Sequence, residues 1–342
     1  MKKITTLVLI AVMFSLLFAA HVAAYTKNEI GCNAAFFGEI NGKKVIKYCM
    51  PLAENGDAAA QYRVGYVYYY GVVTDKDMTN AVKWISDASY QDYPLAQNLL
   101  GVMFETGDGV EQNFEESTKF YFQAARAGLP IAQFNLGRAY ELGQGIIKND
   151  KLAMTWYKKS ADQYYPDAQY NMGMAYEVGN KGVPKNYKIA AEWYRKAAEQ
   201  NYPDAMANLA LYYLAGKGVK KDVARAIDLL EKAFDLGLAR AGYNLGKMYY
   251  DGDGVPIDYN KAFEWYRRAA ENGNKRSQFA TGILYFLGDG VKKNNIKAYM
   301  WLKISGDEVD MVQKDLETVK AEMQPVEIAK AERLANEWLQ SR

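Results

Sequence analysis

The feature that most constrains this chain is a small residue that recurs at a fixed spacing. It stands every 36 residues, and once after 37, as Gly65, Gly101, Gly137, Gly173, Ala210, Gly246 and Gly282. A large side chain follows nineteen or twenty residues later in each copy, as Trp84, Phe120, Trp156, Trp193, Leu229, Trp265 and Trp301. Self-similarity at such a period is typical of proteins built by stacking one small structural unit many times.

Each copy predicts two helices joined by a turn. Small and aromatic residues recur at helical spacing within 167–176 and again within 188–198. Glycine pairs mark the turn between the two helices in most copies, and prolines stand between several copies at Pro94, Pro130, Pro166 and Pro203. These residues end and begin helices, so the unit is a helix-turn-helix repeat.

Stacked hairpins of this kind bury one continuous core, which predicts an all-α solenoid of seven repeats. The expected organisation is a signal peptide over 1–24, a capping hairpin over 25–55, repeats over 56–305 and C-terminal capping helices over 306–342. The seven repeats are expected at about 56–94, 95–130, 131–166, 167–203, 204–238, 239–274 and 275–305.

The order Ala-x-x-Tyr-x-Leu-Gly-x-x-Tyr, then Gly-x-Gly-Val, then Ala-x-x-Trp-Tyr-x-x-Ala-Ala resembles the Sel-1-like repeat, a relative of the tetratricopeptide repeat. The resemblance covers about residues 56–305. It implies an α/α right-handed superhelix, first helices that line a concave groove, and a role as scaffold or adaptor for other proteins. The first copy departs from the pattern at Gly71-Val-Val, and the fifth has Ala210 and Leu229 in place of glycine and tryptophan.

The first residues have the character of a secretory signal. Lys2 and Lys3 precede an apolar stretch from Leu7 to Ala20, and small residues offer cleavage after Ala24. We therefore expect a bacterial protein that is periplasmic or secreted, with no membrane span. Without this leader the net charge falls from +2 to about zero, which gives no chain-wide basic field for nucleic acid.

The side chains left after cleavage argue against an enzyme. The only histidine, His21, lies in the leader, so histidine-dependent hydrolysis and the usual zinc sites are excluded, and we expect neither a metal nor another cofactor. The Gly-Asp-Gly turns lack the further ligands of a calcium or phosphate loop.

Cys32 and Cys49 are expected to form a disulfide, because thiols of exported proteins meet an oxidising environment; two unpaired thiols are the alternative.

Two positions on the first helices are candidates for binding a partner. Two residues before the recurring glycine stand Asn135, Asn171, Asn208 and Asn244, whose amides would both donate to and accept from an extended peptide. The alternative is that these asparagines bond the neighbouring helix.

The second position, four residues after the glycine, is occupied by Glu105, Glu141, Glu177, Tyr250 and Phe286. This order predicts an acidic half and an apolar half of the groove, with Arg138 and Lys247 reducing the negative charge. Solvated surface glutamates are the alternative there.

The favoured function is therefore an exported, monomeric scaffold that binds a protein or peptide, in envelope regulation or in contact with a host. The resemblance also implies a second possibility, because some cysteine-rich exported members of the family bind or hydrolyse β-lactams. This chain lacks the cysteine pair that those members carry in each repeat. Glutamates on successive repeats suit a binding surface better than the closed carboxylate pair of a hydrolase.

Overall fold

A computed structural model describes residues 27–37, 40–72, 75–179, 182–306 and 312–341. Within these ranges the secondary structure is helical, without strands, and the eighteen helices are numbered here in chain order. They are α1 Lys27–Phe37, α2 Gly42–Glu54, α3 Ala58–Tyr70, α4 Met78–Ser89, α5 Pro94–Thr106, α6 Phe114–Arg126, α7 Pro130–Leu142, α8 Asp150–Asp162, α9 Pro166–Val178, α10 Tyr187–Ala198, α11 Pro203–Ala215, α12 Val223–Asp235, α13 Ala239–Asp251, α14 Tyr259–Glu271, α15 Lys275–Leu287, α16 Asn295–Ser305, α17 Val312–Lys320 and α18 Pro325–Gln340. The expected signal peptide and its cleavage site lie outside the described residues.

The helix boundaries follow from local chemistry. The first helix of every repeat ends at a glycine in the left-handed conformation, for example Gly143 with φ of 72°, which only glycine adopts without strain. The second helix of every repeat begins after an asparagine or aspartate whose side chain accepts from the first turn, as Asn149 does from the Leu152 N–H. The seven caps are Asp77, Asn113, Asn149, Asn186, Asp222, Asp258 and Asn294.

The recurring glycine allows the two helices of a repeat to approach closely. A Cβ atom added at Gly101 would lie 2.7 Å from the ring of Tyr121 on the second helix, and one at Gly137 would lie 2.8 Å from Tyr157. Both tyrosines are fully buried. In these two repeats the glycine therefore makes room for a ring that fills the interior of its own repeat.

The chain divides into two compact units, Met1–Gln163 and Tyr164–Arg342. In the first unit, helices α1 and α2 pack on the first repeat, and the predicted disulfide between Cys32 and Cys49 is present. Buried glutamines connect successive repeats: the Gln133 side-chain amide donates to the backbone carbonyl of Ala125 in the preceding repeat. The predicted pairing of Cys32 with Cys49 is confirmed.

The second unit contains repeats four to seven and the last two helices. Its largest apolar cluster contains Tyr194, Leu230 and Leu245, all fully buried. A second cluster joins α16 to α17 and α18, and the rings of Trp301 and Trp338 meet edge to face with their centroids 5.7 Å apart. The final helices therefore cover the apolar side of the seventh repeat.

Candidate functional site

Asn135 lies in the first unit and is engaged within the protein. Its side chain is 8% exposed, and its Nδ2 donates to Oδ1 of Asn98 on the preceding first helix over 3.0 Å. A buried amide that is satisfied in this way connects two repeats. Of the four predicted asparagines, this one has the geometry of the packing alternative.

The other three asparagines lie on first helices of the second unit and are half-buried; we call Asn171, Asn208 and Asn244 the asparagine face. Asn208 contacts Arg240, whose Nη2 is 3.5 Å from the amide oxygen and 2.7 Å from Oδ1 of Asp204. Within the described part of the chain, the side-chain amides of Asn171 and Asn244 have no hydrogen-bond partner. These two amides are free to bond a ligand.

Tyrosine rings flank the asparagine face. The rings of Tyr170 and Tyr202 lie 5.3 Å apart, and the Tyr202 hydroxyl donates to Asp167 over 3.1 Å. Burial raises the pKa of Tyr170, and the nearby carboxylate of Asp204 raises it further. The sequence marks the positions of both rings. A tyrosine stands three residues before the recurring glycine in several repeats, as Tyr170 does, and a tyrosine stands directly before several of the prolines between repeats, as Tyr202 does.

Glu105 is held between two repeats of the first unit. Its carboxylate accepts from the Tyr121 hydroxyl over 2.5 Å and from Nη2 of Arg138, in the next repeat, over 2.5 and 2.7 Å. Burial, and then the hydrogen bond to Glu105, raise the pKa of Tyr121. The structure thus brings two predicted binding residues, Glu105 and Arg138, together as an ion pair.

The remaining two glutamates repeat the contact with a tyrosine. The Tyr157 hydroxyl donates to Glu141 over 2.6 Å, and the Tyr194 hydroxyl donates to Glu177 over 2.7 Å. Lys217 lies 3.6 Å from Glu177. The sequence signal for this contact is a glutamate four residues after the recurring glycine together with a tyrosine twenty residues after that glycine. In the fourth repeat the tyrosine stands twenty-one residues after the glycine.

The last predicted residues lie in the sixth and seventh repeats. Lys247 pairs with Asp251 one turn along the same helix. Tyr250 is half-buried with its ring centroid 5.3 Å from that of Tyr259, and the half-buried ring of Phe286 has a lysine ammonium 4.7 Å above it. This end of the second unit offers partly covered aromatic rings.

No group of three metal-ligating side chains is found in the part of the chain that the structure describes. None of the described helices has the length and apolar character needed to cross a membrane. The candidate site is a set of polar and aromatic side chains on first helices.

The architecture is that of a helical-repeat protein whose unit is a capped helix-turn-helix. The Sel1 repeat matches residues 58–93, 94–129, 130–165, 166–202, 203–238, 239–274 and 275–308. The chain belongs to the Sel1 repeat family, whose members commonly mediate protein–protein interaction. The expected all-α repeat solenoid is confirmed.

Solved structures with the same repeat are similar to this chain. A Sel1 repeat protein from Oxalobacter formigenes is 29% identical over 86% of this chain and 87% of its own, with a TM-score of 0.66. A protective antigen of uropathogenic Escherichia coli with an SLR fold is 22% identical over 88% of this chain and 94% of its own, with a TM-score of 0.40. A putative sel1 repeat protein from Klebsiella pneumoniae subsp. pneumoniae is 24% identical over 59% of this chain and 99% of its own, with a TM-score of 0.39. The chain matches no curated protein.

Proposed function

We propose that this protein is a monomeric, exported scaffold that binds an extended segment of a partner protein on the asparagine face. The observation that carries the proposal is the half-buried, unpaired state of the Asn171 and Asn244 amides. Side-chain amides that bond no other group of the protein and lie at a partly enclosed place are available to a partner. A carboxamide donates and accepts at once, which matches the alternating N–H and C=O groups of an extended backbone.

The charges around the asparagine face favour recognition by hydrogen bonds and ring contacts. Asp204 pairs with Arg240, and Lys247 pairs with Asp251, so the cations and carboxylates beside the amides largely neutralise each other. Glu177 is bonded to Tyr194 and lies near Lys217. We infer that affinity comes from the amides, the adjacent tyrosine rings and the aromatic residues Tyr250 and Phe286, which would take an apolar side chain of the partner.

Export is supported by the state of the cysteines. Paired cysteines persist in oxidising compartments and are rare in the reducing cytosol. Cys32 and Cys49 are bonded and fully buried. We propose that the scaffold acts in the cell envelope or at a host surface, where its partner would be another exported or exposed protein.

The test compares crosslinked capture of partners from intact cells by the wild-type protein and by the Asn171→Ala/Asn244→Ala double variant. A matched control is Asn260→Ala, which changes an exposed asparagine on a second helix of the same unit. Circular dichroism and thermal unfolding establish that the variants are folded. We expect one specific partner for the wild type and the control, with at least a tenfold loss for the double variant, about 1.4 kcal/mol of binding.

Two outcomes contradict the proposal. Equal capture by the folded double variant would place binding elsewhere on the molecule. Capture of purified peptidoglycan or of a β-lactam, with no protein partner, would replace the adaptor function by recognition of cell-wall material.

A further inference from the structure

A second feature of the second unit lies between the second helices of repeats four and five, α10 and α12. An open cleft of about 590 Å³ is bounded by these helices and by the turn at Gly218. Its volume is within the range of small-ligand sites, about 300 to 1,000 Å³. The asparagine face, on the first helices, contributes no residue to it.

The lining of the cleft is strongly basic. Five cations line it, namely Lys188, Arg195, Lys220, Lys221 and Arg225, against two carboxylates, Glu192 and Asp222. Asp222 is already engaged as the N-cap of α12, where its side chain accepts from the Arg225 N–H over 3.0 Å. Among the residues that the structure describes, no carboxylate lies within ion-pair distance of any of these five cations. The cleft therefore concentrates uncompensated positive charge.

The equivalent arginine of another repeat shows that this arrangement is not imposed by the sequence pattern. Arg267 stands two residues after the tryptophan of the sixth repeat, as Arg195 does in the fourth. Arg267 is bonded to Glu264 over 2.9 Å and to Glu271 over 2.6 Å. The fourth repeat has glutamates at both equivalent positions, Glu192 and Glu199, but Arg195 pairs with neither and lines the cleft.

A second guanidinium is positioned by a buried tyrosine. Nη1 of Arg225 lies 3.2 Å from the Tyr213 hydroxyl, and its guanidinium stands 5.3 Å from the centre of that ring. Tyr213 is 6% exposed, so the ring is a fixed support. An arginine held in this way loses less side-chain freedom when it binds a ligand.

We propose that this cleft, the basic cleft, binds a multiply charged, phosphate-bearing anion. Guanidinium groups offer two parallel N–H donors that match the oxygens of a phosphate, and the three lysines supply further charge around it. Neutralising several unpaired cations in one concave place favours an anion with more than one negative charge. The ligand's phosphate belongs either to a soluble compound or to a lipid headgroup.

The experiment uses the full chain and inorganic pyrophosphate as the probe, with binding measured by isothermal titration calorimetry at low salt. The wild type is compared with the Arg195→Gln/Arg225→Gln double variant. The matched control is Arg267→Gln/Lys297→Gln, which removes the same charge from the equivalent positions two repeats along. We expect the wild type and the control to bind alike, within about twofold, and the double variant to lose at least about tenfold, because two charge-assisted bonds to the ligand are removed.

Lys220→Gln/Lys221→Gln provides a second test that leaves both helices unchanged, since these lysines lie in the exposed turn before α12. We expect weaker pyrophosphate binding for this variant too. A second arm measures retention of the protein on vesicles that contain phosphatidic acid. Retention that free pyrophosphate abolishes identifies a lipid headgroup as the ligand. Pyrophosphate binding by a protein that the vesicles do not retain identifies a soluble ligand. Absence of pyrophosphate binding by the wild type, or an equal loss in the control, would overturn the proposal.

Discussion

At the residue scale, the interior of each repeat depends on a small residue and the side chain that faces it. Gly101 faces Tyr121, and the Tyr121 hydroxyl is held by Glu105. In the fifth repeat Ala210 takes the place of the glycine, and the residue twenty positions later is Leu230, with both side chains fully buried. The glycines face a tyrosine in four repeats but Ile85 in the first and Leu302 in the seventh, so a small residue at this position accommodates rings and aliphatic side chains alike.

This pairing predicts the effect of Gly101→Ala. The new Cβ would meet the Tyr121 ring at 2.7 Å and the carbonyl oxygen of Ser117 at 3.2 Å. We expect a loss of about 1 to 3 kcal/mol in the free energy of unfolding, the usual cost of overpacking a core. Urea unfolding of the variant measures this loss.

The control for Gly101→Ala is the same change in a Tyr121→Leu background, which imitates the fifth repeat. The cost of the added methyl group is expected to be smaller there, because an alanine and a leucine, Ala210 and Leu230, are both accommodated at the equivalent buried positions of the fifth repeat. An equal cost in both backgrounds would show that the clash with the ring is not the cause.

The buried tyrosines predict a loss of stability in alkali. Burial is the main cause that raises the pKa of Tyr121, Tyr194 and Tyr266, and bonds to Glu105 and Glu177 add to it for the first two. Because the folded protein holds these protons more tightly, the stabilisation is complete below about pH 10, the unfolded value, and declines as pH rises toward the folded pKa. Each such tyrosine is expected to contribute a slope of about 1.4 kcal/mol per pH unit.

Urea unfolding at pH values from about 8 to 12 measures that slope. The Tyr121→Phe variant is expected to be less stable at the lower end, because Glu105 loses a donor, and to have a shallower decline above pH 10. A decline as steep as that of the wild type would mean that the pKa of Tyr121 is not raised in the folded protein.

At the element scale, the start of each second helix is set by one polar side chain. Asn113 accepts from the N–H groups of Glu115 and Glu116 at 3.0 and 3.1 Å. Asn113→Ala is expected to lower the free energy of unfolding by about 1 kcal/mol, the usual value of a lost N-cap. Thermal and urea unfolding measure the loss, and Asn260→Ala, an exposed change that removes no cap, is expected to stay within about 0.5 kcal/mol of the wild type. Similar losses for both variants would contradict a capping role.

The elements could be predicted from the sequence because their signals are local. Each helix boundary is set by residues that act within one turn, namely caps such as Asn113, left-handed glycines such as Gly143 and the prolines at helix starts. These local signals, repeated once per period, are enough to place the helices. The side chains of the candidate site depend on contacts that the period does not encode. Asn135 and Asn171 occupy equivalent positions, but only Asn135 has an asparagine, Asn98, beside it on the preceding first helix to bond with.

The glutamates show the same limit. Glu105 stands at a position that the pattern predicts to be exposed on the groove, but its oxygens are taken by a tyrosine sixteen residues later and an arginine thirty-three residues later. Neither contact can be predicted from amphipathic spacing. This spacing identifies the buried face of a helix, but it does not identify the partner of a polar side chain at the border of that face. The partner becomes visible only when two repeats are placed side by side.

At the scale of the whole molecule, stability in a repeat protein is a sum of local terms, because each repeat contacts only its neighbours. The disulfide between Cys32 and Cys49 closes a separation of 17 residues at the N-terminal end of the first unit. In the chain-entropy account such a closure contributes about 3 kcal/mol. Cys32 also contacts the buried Arg63 of the first repeat, whose Nη1 lies 3.3 Å from its sulfur.

Reduction of the disulfide is therefore expected to loosen one end of the molecule and leave the other unchanged. Amide hydrogen exchange, followed by mass spectrometry with and without a reductant, should accelerate in α1 to α3 and stay the same in α15 to α18. A Cys32→Ser/Cys49→Ser variant without reductant should show the same pattern, which separates loss of the bond from side effects of the reagent. Exchange that rises equally in every repeat would show that the seven repeats unfold as one cooperative body and would contradict the additive account of their stability.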